Sequence, residues 1–142
     1  YKHLQLRMLV RGASTGGSMR LNLNGDSSGA NYSRHVLYGD GSSALASGAF
    51  NDSVTAAIGD APTSSNSANI FGGFIIDILD HSSTTKNKTI RSFSGYDANG
   101  SGLIQLRSSG WYSTSAVTSL TIYEGASTNL AQYSSFALYG IK

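Results

Sequence analysis

Apolar residues recur at every second position along much of this chain, and that spacing confines it to extended strands with one apolar and one polar face. Leu4, Leu6, Met8 and Val10 alternate with His3, Gln5, Arg7 and, past the run, Arg11. After a turn cluster at residues 12–17, Met19, Leu21 and Leu23 alternate with Arg20, Asn22 and Asn24. The two runs are well placed to form an antiparallel hairpin, with Arg7, Arg11 and Arg20 sharing an outer face. Asn24-Gly25-Asp26 opens another turn, and residues 31–38 read as a third strand closed by Gly39-Asp40-Gly41.

Residues 42–67 are ambiguous, because the short runs 45–50 and 54–58 are rich in alanine and suit either edge strands or one turn of helix. The loop at 60–68 holds Pro62, the only proline. Residues 70–79 are the most apolar segment, and Phe74, Ile76 and Ile78 set against Ile75, Asp77 and Leu79 suggest a central strand. Further strands are expected at 88–94, 103–107, 117–123 and 136–141, with a turn at 95–102. About eight or nine strands without helical periodicity predict an all-β fold, an antiparallel, jelly-roll-like β-sandwich. The first and last runs are both good strands and are expected to pair. No fixed-period repeat argues for a solenoid or propeller.

The chain has 142 residues, the size of one domain, so residues 1–142 are read as a single β-sandwich domain. Only 13% of residues are charged, about half the usual share, yet eight Tyr, five Phe, one Trp and a net charge of +2 are unlike a disordered chain. The abundant Ser, Thr, Gly and Asn are therefore assigned to loops and outward strand faces. With no cysteine, neither disulfides nor thiolate metal sites are available. No apolar run approaches the ~18 residues of a membrane-spanning helix, so no membrane insertion is expected. The chain begins at Tyr1 rather than Met, which suggests a fragment, a processed product or the ordered part of something longer.

Charge is uneven. Residues 1–34 carry Lys2, Arg7, Arg11, Arg20 and Arg34 against Asp26, whereas every charged residue from Asp40 to Asp80 is acidic. Solvated strand faces explain this, as do complementary patches that pair when copies assemble. No Lys/Arg cluster is interleaved with aromatics, so no nucleic-acid partner is expected.

Few motifs suggest chemistry. Gly12-Ala13-Ser14-Thr15-Gly16 matches the nucleophile-elbow pattern, but that elbow needs a helix after it and here a strand follows, so it reads as a hairpin turn. His3, His35 and His81 lack metal-ligand spacing. Asp77, Asp80 and His81 lie close enough for a carboxylate to orient a base, although Asp80-His81 also opens a polar loop as turn formers do. The run from Asp97 to Gly102 begins like a calcium loop, but Ser108 stands where the bidentate Glu is required, so a hairpin turn is expected. Asn31-Tyr32-Ser33, Asn51-Asp52-Ser53 and Asn87-Lys88-Thr89 fit the glycosylation pattern, with little meaning in a chain so rich in Ser and Thr. Trp111 and Tyr112 could form a sugar-stacking platform aided by Tyr96, Asp97 and Asn99 from a nearby turn; alternatively the indole caps one end of the core. No catalytic residue, metal ligand or cofactor is assigned, and no enzyme activity is expected.

Several segments resemble β-sandwich domains of tailed-bacteriophage virion proteins. They are Leu21-Asn22-Leu23-Asn24-Gly25-Asp26 with Gly29-Ala30-Asn31-Tyr32, and Phe71-Gly72-Gly73-Phe74 leading to Ile76-Asp77-Ile78. Next come residues 84–89, then Gly110-Trp111 with Ser113-Thr114, and the closing Phe136-Ala137-Leu138-Tyr139-Gly140-Ile141. The resemblance implies a structural role in the virion, as capsid decoration or a tail or fibre appendage, contacting other virion proteins or copies of itself as a homo-oligomer. Host surface carbohydrate is a further expected partner. It implies no enzyme activity, and suits a sparsely charged β domain with closed or covered edges. The alternative is a carbohydrate-binding module of a secreted or cell-surface protein.

Overall fold

The computed structural model describes residues 1–50, 55–126 and 129–142. They form ten strands: β1 (His3–Val10), β2 (Ser18–Leu23), β3 (Tyr32–Gly39), β4 (Ala44–Phe50), β5 (Ala56–Asp60), β6 (Gly72–Ile78), β7 (Lys88–Asp97), β8 (Gly102–Trp111), β9 (Leu120–Glu124) and β10 (Ser135–Ile141). A seven-stranded sheet of order β10-β1-β6-β7-β8-β3-β4 lies against a three-stranded sheet of order β5-β2-β9. The strand pairs are antiparallel, and the fold is an antiparallel β-sandwich. Among the described residues, no helix is long and apolar enough to cross a membrane.

The termini pair as expected, from His3↔Ile141 to Leu9↔Ser135, and β6 is a central strand between β1 and β7. The expected hairpin of the first two runs does not form. Strand β1 lies in the large sheet and β2 in the small one, so Leu6, Met8 and Val10 share one core with Met19, Leu21 and Leu23 from the opposite sheet. Alternation shows which face of a strand is apolar; it is satisfied equally by a neighbour in the sheet and by a strand facing it across a core. Arg7 and Arg20 consequently sit on different sheets. Arg11 fastens the loop between β5 and β6 instead, donating to the carbonyls of Asn66, Ser67 and Ile70 at 2.9, 2.8 and 3.0 Å.

The alanine-rich runs are edge strands, β4 of the large sheet and β5 of the small one; Val54 and the acceptor pattern Asn51-Asp52-Ser53 lie outside the described residues. Ala56, Ala57 and Ile58 are all fully buried, because the pairing of β5 with β2 shifts between Met19↔Gly59 and Arg20↔Ala57. This bulge leaves Ile58 without a partner and breaks the in-out alternation. Gly59 makes it possible at φ +147°, where a Cβ would overlap Ser94 Oγ and stand 2.6 Å from Phe74 Cε1. Gly59→Ala is expected to cost about 2–3 kcal/mol through strain and overpacking, read as a lower urea midpoint; an unchanged midpoint refutes the account.

Candidate functional site

The core grades from apolar to polar across the large sheet. Under β1 and β6 it is lined by Leu6, Met8, Phe74, Ile76 and Ile78; under β7 and β8 it holds Ser92, Ser94, Gln105, Arg107 and Ser109, all buried. Asp60, ending β5, ties this polar half together. Its N–H donates to Gln105 Oε1 at 2.9 Å, while its Oδ2 accepts from Gln105 Nε2 at 2.6 Å and Arg107 Nη2 at 2.5 Å. A concavity of about 390 Å³ opens there, lined also by Ser18, Arg34, Tyr38 and Ser47. Its mixture of hydroxyls, a guanidinium pair and a carboxylate suits a hydroxyl-rich ligand.

The residues expected to form an aromatic platform are not brought together. Trp111 closes β8 and is only 2% exposed, with its indole Nε1 donating to Asp26 Oδ2 at 2.7 Å. Tyr112 is exposed and exchanges a hydrogen bond with Ser33 Oγ at 3.0 Å. Tyr96 and Asp97 end β7, and Asn99 lies in the turn to β8, where Asp97 Oδ1 accepts the Asn99 N–H at 2.8 Å. Trp111 pairs with Lys88 at the far end of this hairpin from Asp97↔Gly102. At ~3.3 Å per residue, some 30 Å separate the two groups. The hairpin turn at 95–102 was legible in the sequence, but the ten-residue length of β8 was not.

Asp26 is a structural hub. Besides Trp111 it accepts from Asn31 Nδ2 and from the Ser28 N–H, each at 2.9 Å. Burial raises the pKa of its carboxyl, but these hydrogen bonds outweigh that and hold it below the ordinary value. Beside it, fully buried Tyr32 accepts the Leu23 N–H at 3.2 Å and donates to the Asp26 carbonyl at 3.0 Å. Burial pushes the Tyr32 phenol from 10.0 up to about 12. The unfolded chain therefore loses this proton first, and stability falls as pH rises from about 10 towards 12, by about 3 kcal/mol in all. Tyr32→Phe is expected to flatten that alkaline loss, measured as urea midpoint against pH; an equally steep decline in the variant counts against it.

The remaining candidate chemistry resolves into turns. The Gly12–Gly16 pattern connects β1 to β2, and Ser14 Oγ accepts the Gly16 N–H at 3.3 Å. His3 Nδ1 accepts the Asp80 N–H at 2.9 Å, whereas the Asp80 carboxylate takes Lys86 Nζ at 2.6 Å. His81 Nδ1 lies 3.3 Å from the Lys2 carbonyl. Among the described residues, no group of three or more His, Cys, Asp or Glu side chains could hold a metal ion.

What alternation did not reveal is the outer face of the large sheet. In register across it stand Ala137, Arg7, Ile75, Phe93, Leu106, Leu37 and Ala46, one from each strand. The four large apolar members are adjacent and open to solvent, at 44%, 50%, 55% and 55% exposure for Ile75, Phe93, Leu106 and Leu37. The next row adds Leu9 and Ile104, spaced by Gly73 and Gly95. Two shallow troughs of about 660 and 540 Å³ lie along this face. The outward faces are thus not uniformly polar, as composition had suggested. No protein-family model, curated protein or solved structure matches the chain.

Proposed function

We propose that this chain is a non-enzymatic structural domain that assembles into a larger particle through the outer face of its seven-stranded sheet. The observation that carries this reading is the row Ile75, Phe93, Leu106 and Leu37, flanked by Leu9 and Ile104. Soluble monomers keep such contiguous apolar patches small, and an open patch of this kind marks a contact surface. The charges beside it, Arg7, Arg91 and Asp77, leave a single excess positive charge on this part of the face. Asp77 accepts from Gln5 at 2.9 Å and lies 3.5 Å from Arg91, while Arg7 donates to Gln5 at 2.9 Å and its guanidinium sits 5.1 Å from the Tyr139 ring centre. A partner selected by this face is therefore another near-neutral protein surface rather than a polyanion.

Together with the sequence resemblance to tailed-phage virion domains, this gives the proposal its context: capsid decoration or a tail or fibre component, located in the virion, touching copies of itself or other virion proteins. Light scattering on a dilution series and co-sedimentation with assembled particles test it. Self-association or particle binding is expected; a strict monomer that ignores particles overturns it.

A second reading, binding of host surface glycans, draws on the polar concavity around Asp60, Arg107 and Tyr38 rather than on Trp111. It expects glycan-array hits that Tyr38→Ala removes; an array without hits eliminates it.

A further inference from the structure

Strand β4 ends the large sheet on one side and is exposed along nearly its whole length. Its sequence, Ala-Leu-Ala-Ser-Gly-Ala-Phe, contains neither charge nor proline, and its pairing with β3 runs from Ser33↔Phe50 to Gly39↔Ala44 without a bulge. Proteins commonly protect an edge with one of those devices, and the sequence had suggested closed or covered edges. This edge is open. The Asp40 N–H donates to the Ser43 carbonyl at 3.3 Å, so residues 40 and 43 are a hydrogen-bonded pair at the turn. Antiparallel alternation from there turns the backbone N–H and C=O of Leu45, Ser47 and Ala49 towards β3. Those of Ala44, Ala46, Gly48 and Phe50 point outward.

We propose that this edge pairs with the same edge of a second copy, antiparallel about a two-fold axis at Ser47, joining two large sheets into one. About that axis Ala46 faces the second copy's Gly48, and Ala44 faces its Phe50. All four outward residues then fall at hydrogen-bonded positions, giving about eight interchain hydrogen bonds. The side chains match in size as well. Phe50 lies beside Ala44, Leu45 beside Ala49 and Ser47 beside itself, and no like charges meet.

The other free edge, β10, suits this less. A two-fold at Leu138 sets Phe136 against the second copy's Gly140, but the Tyr1 ring already covers Gly140, where a Cβ would stand 2.6 Å from Tyr1 Cδ1. Seven residues a side is well short of the ~20–30 of a standard interface. The pair is therefore transient for the free chain and strengthens once other contacts hold copies together. The inference deepens the assembly reading by naming the partner and the edge. Its test addresses β4 alone, so its failure is separable from that of the outer face.

The chain has no cysteine, so Ser47→Cys introduces a sole thiol. On the axis it occupies a non-hydrogen-bonded pair with Cα atoms about 4.5 Å apart, within disulfide reach. In a glutathione redox buffer, Ser47→Cys is expected to form disulfide-linked dimer at least about ten-fold faster than Ser82→Cys, an exposed loop control. Adding Ala46→Pro removes an outward N–H without taking a bond from β3, and should return the rate to that of the control. A Ser47→Cys rate no greater than the control, or one that the proline leaves unchanged, overturns the proposal.

Discussion

Replacing Asp26 by Ala is expected to lower the stability of the fold by about 3 kcal/mol, as the buried Trp111 indole N–H, the Asn31 amide and the Ser28 N–H lose their shared acceptor. The cost is large because Trp111 cannot turn to water at 2% exposure, and an orphaned buried donor keeps its desolvation penalty. Trp111 is also the only tryptophan, so its fluorescence reports both the local loss and the global transition in urea. The pH dependence follows from the depressed carboxyl. A carboxylate held below its ordinary value of 3.8 contributes stability that is fully present above that pH and is lost as pH falls through the folded value. The difference between the native chain and Asp26→Ala should therefore be constant near neutrality and shrink in acid. A variant within 0.5 kcal/mol of the native chain, a change typical of neutral surface substitutions, would discard the hub assignment.

The second large effect concerns assembly. Phe93 and Leu106 lie directly opposite each other at the middle of the outer row, and both are half exposed. Changing both to Thr keeps strand propensity and removes the apolar centre. Buried interface anchors cost ~2 kcal/mol or more each, so the pair should weaken self-association or particle binding by about a thousand-fold. Folding stability should change by less than ~1.5 kcal/mol, because neither side chain belongs to the core. Sedimentation velocity on a dilution series, beside urea unfolding, separates the two quantities. Assembly unaffected by the double substitution would remove the outer face from the proposal, whatever the fate of the β4 edge.

Several features of the fold and of the candidate site were legible from residue order alone. The alternation at Leu4–Val10 and at Met19–Leu23 gave the strands and their buried faces, and the apolar run at 70–79 gave the central strand. Neighbours were less legible. The first two strands part to opposite sheets, since a period of two marks a face and not a partner. The bulge at Ile58 depends on Gly59 meeting Phe74 and Ser94 from the other sheet, contacts with no local trace.

The candidate surfaces divide in the same way. Ile75 on β6, Phe93 on β7, Leu106 on β8 and Leu37 on β3 are outward apolar residues of a kind that one strand alone leaves unremarkable. They become a surface only when the consecutive strands β6, β7 and β8 and the distant β3 come into register. Trp111 stands beside Tyr112 in the chain, yet its partner is Asp26, 85 residues earlier. Local order determined that this protein is built of antiparallel strands, because side-chain direction alternates with every peptide. Which strands adjoin, where the indole is buried and which apolar residues meet were decided by the tertiary structure, because those depend on hydrogen-bond register and sheet packing between segments, which the alternation within each segment does not specify.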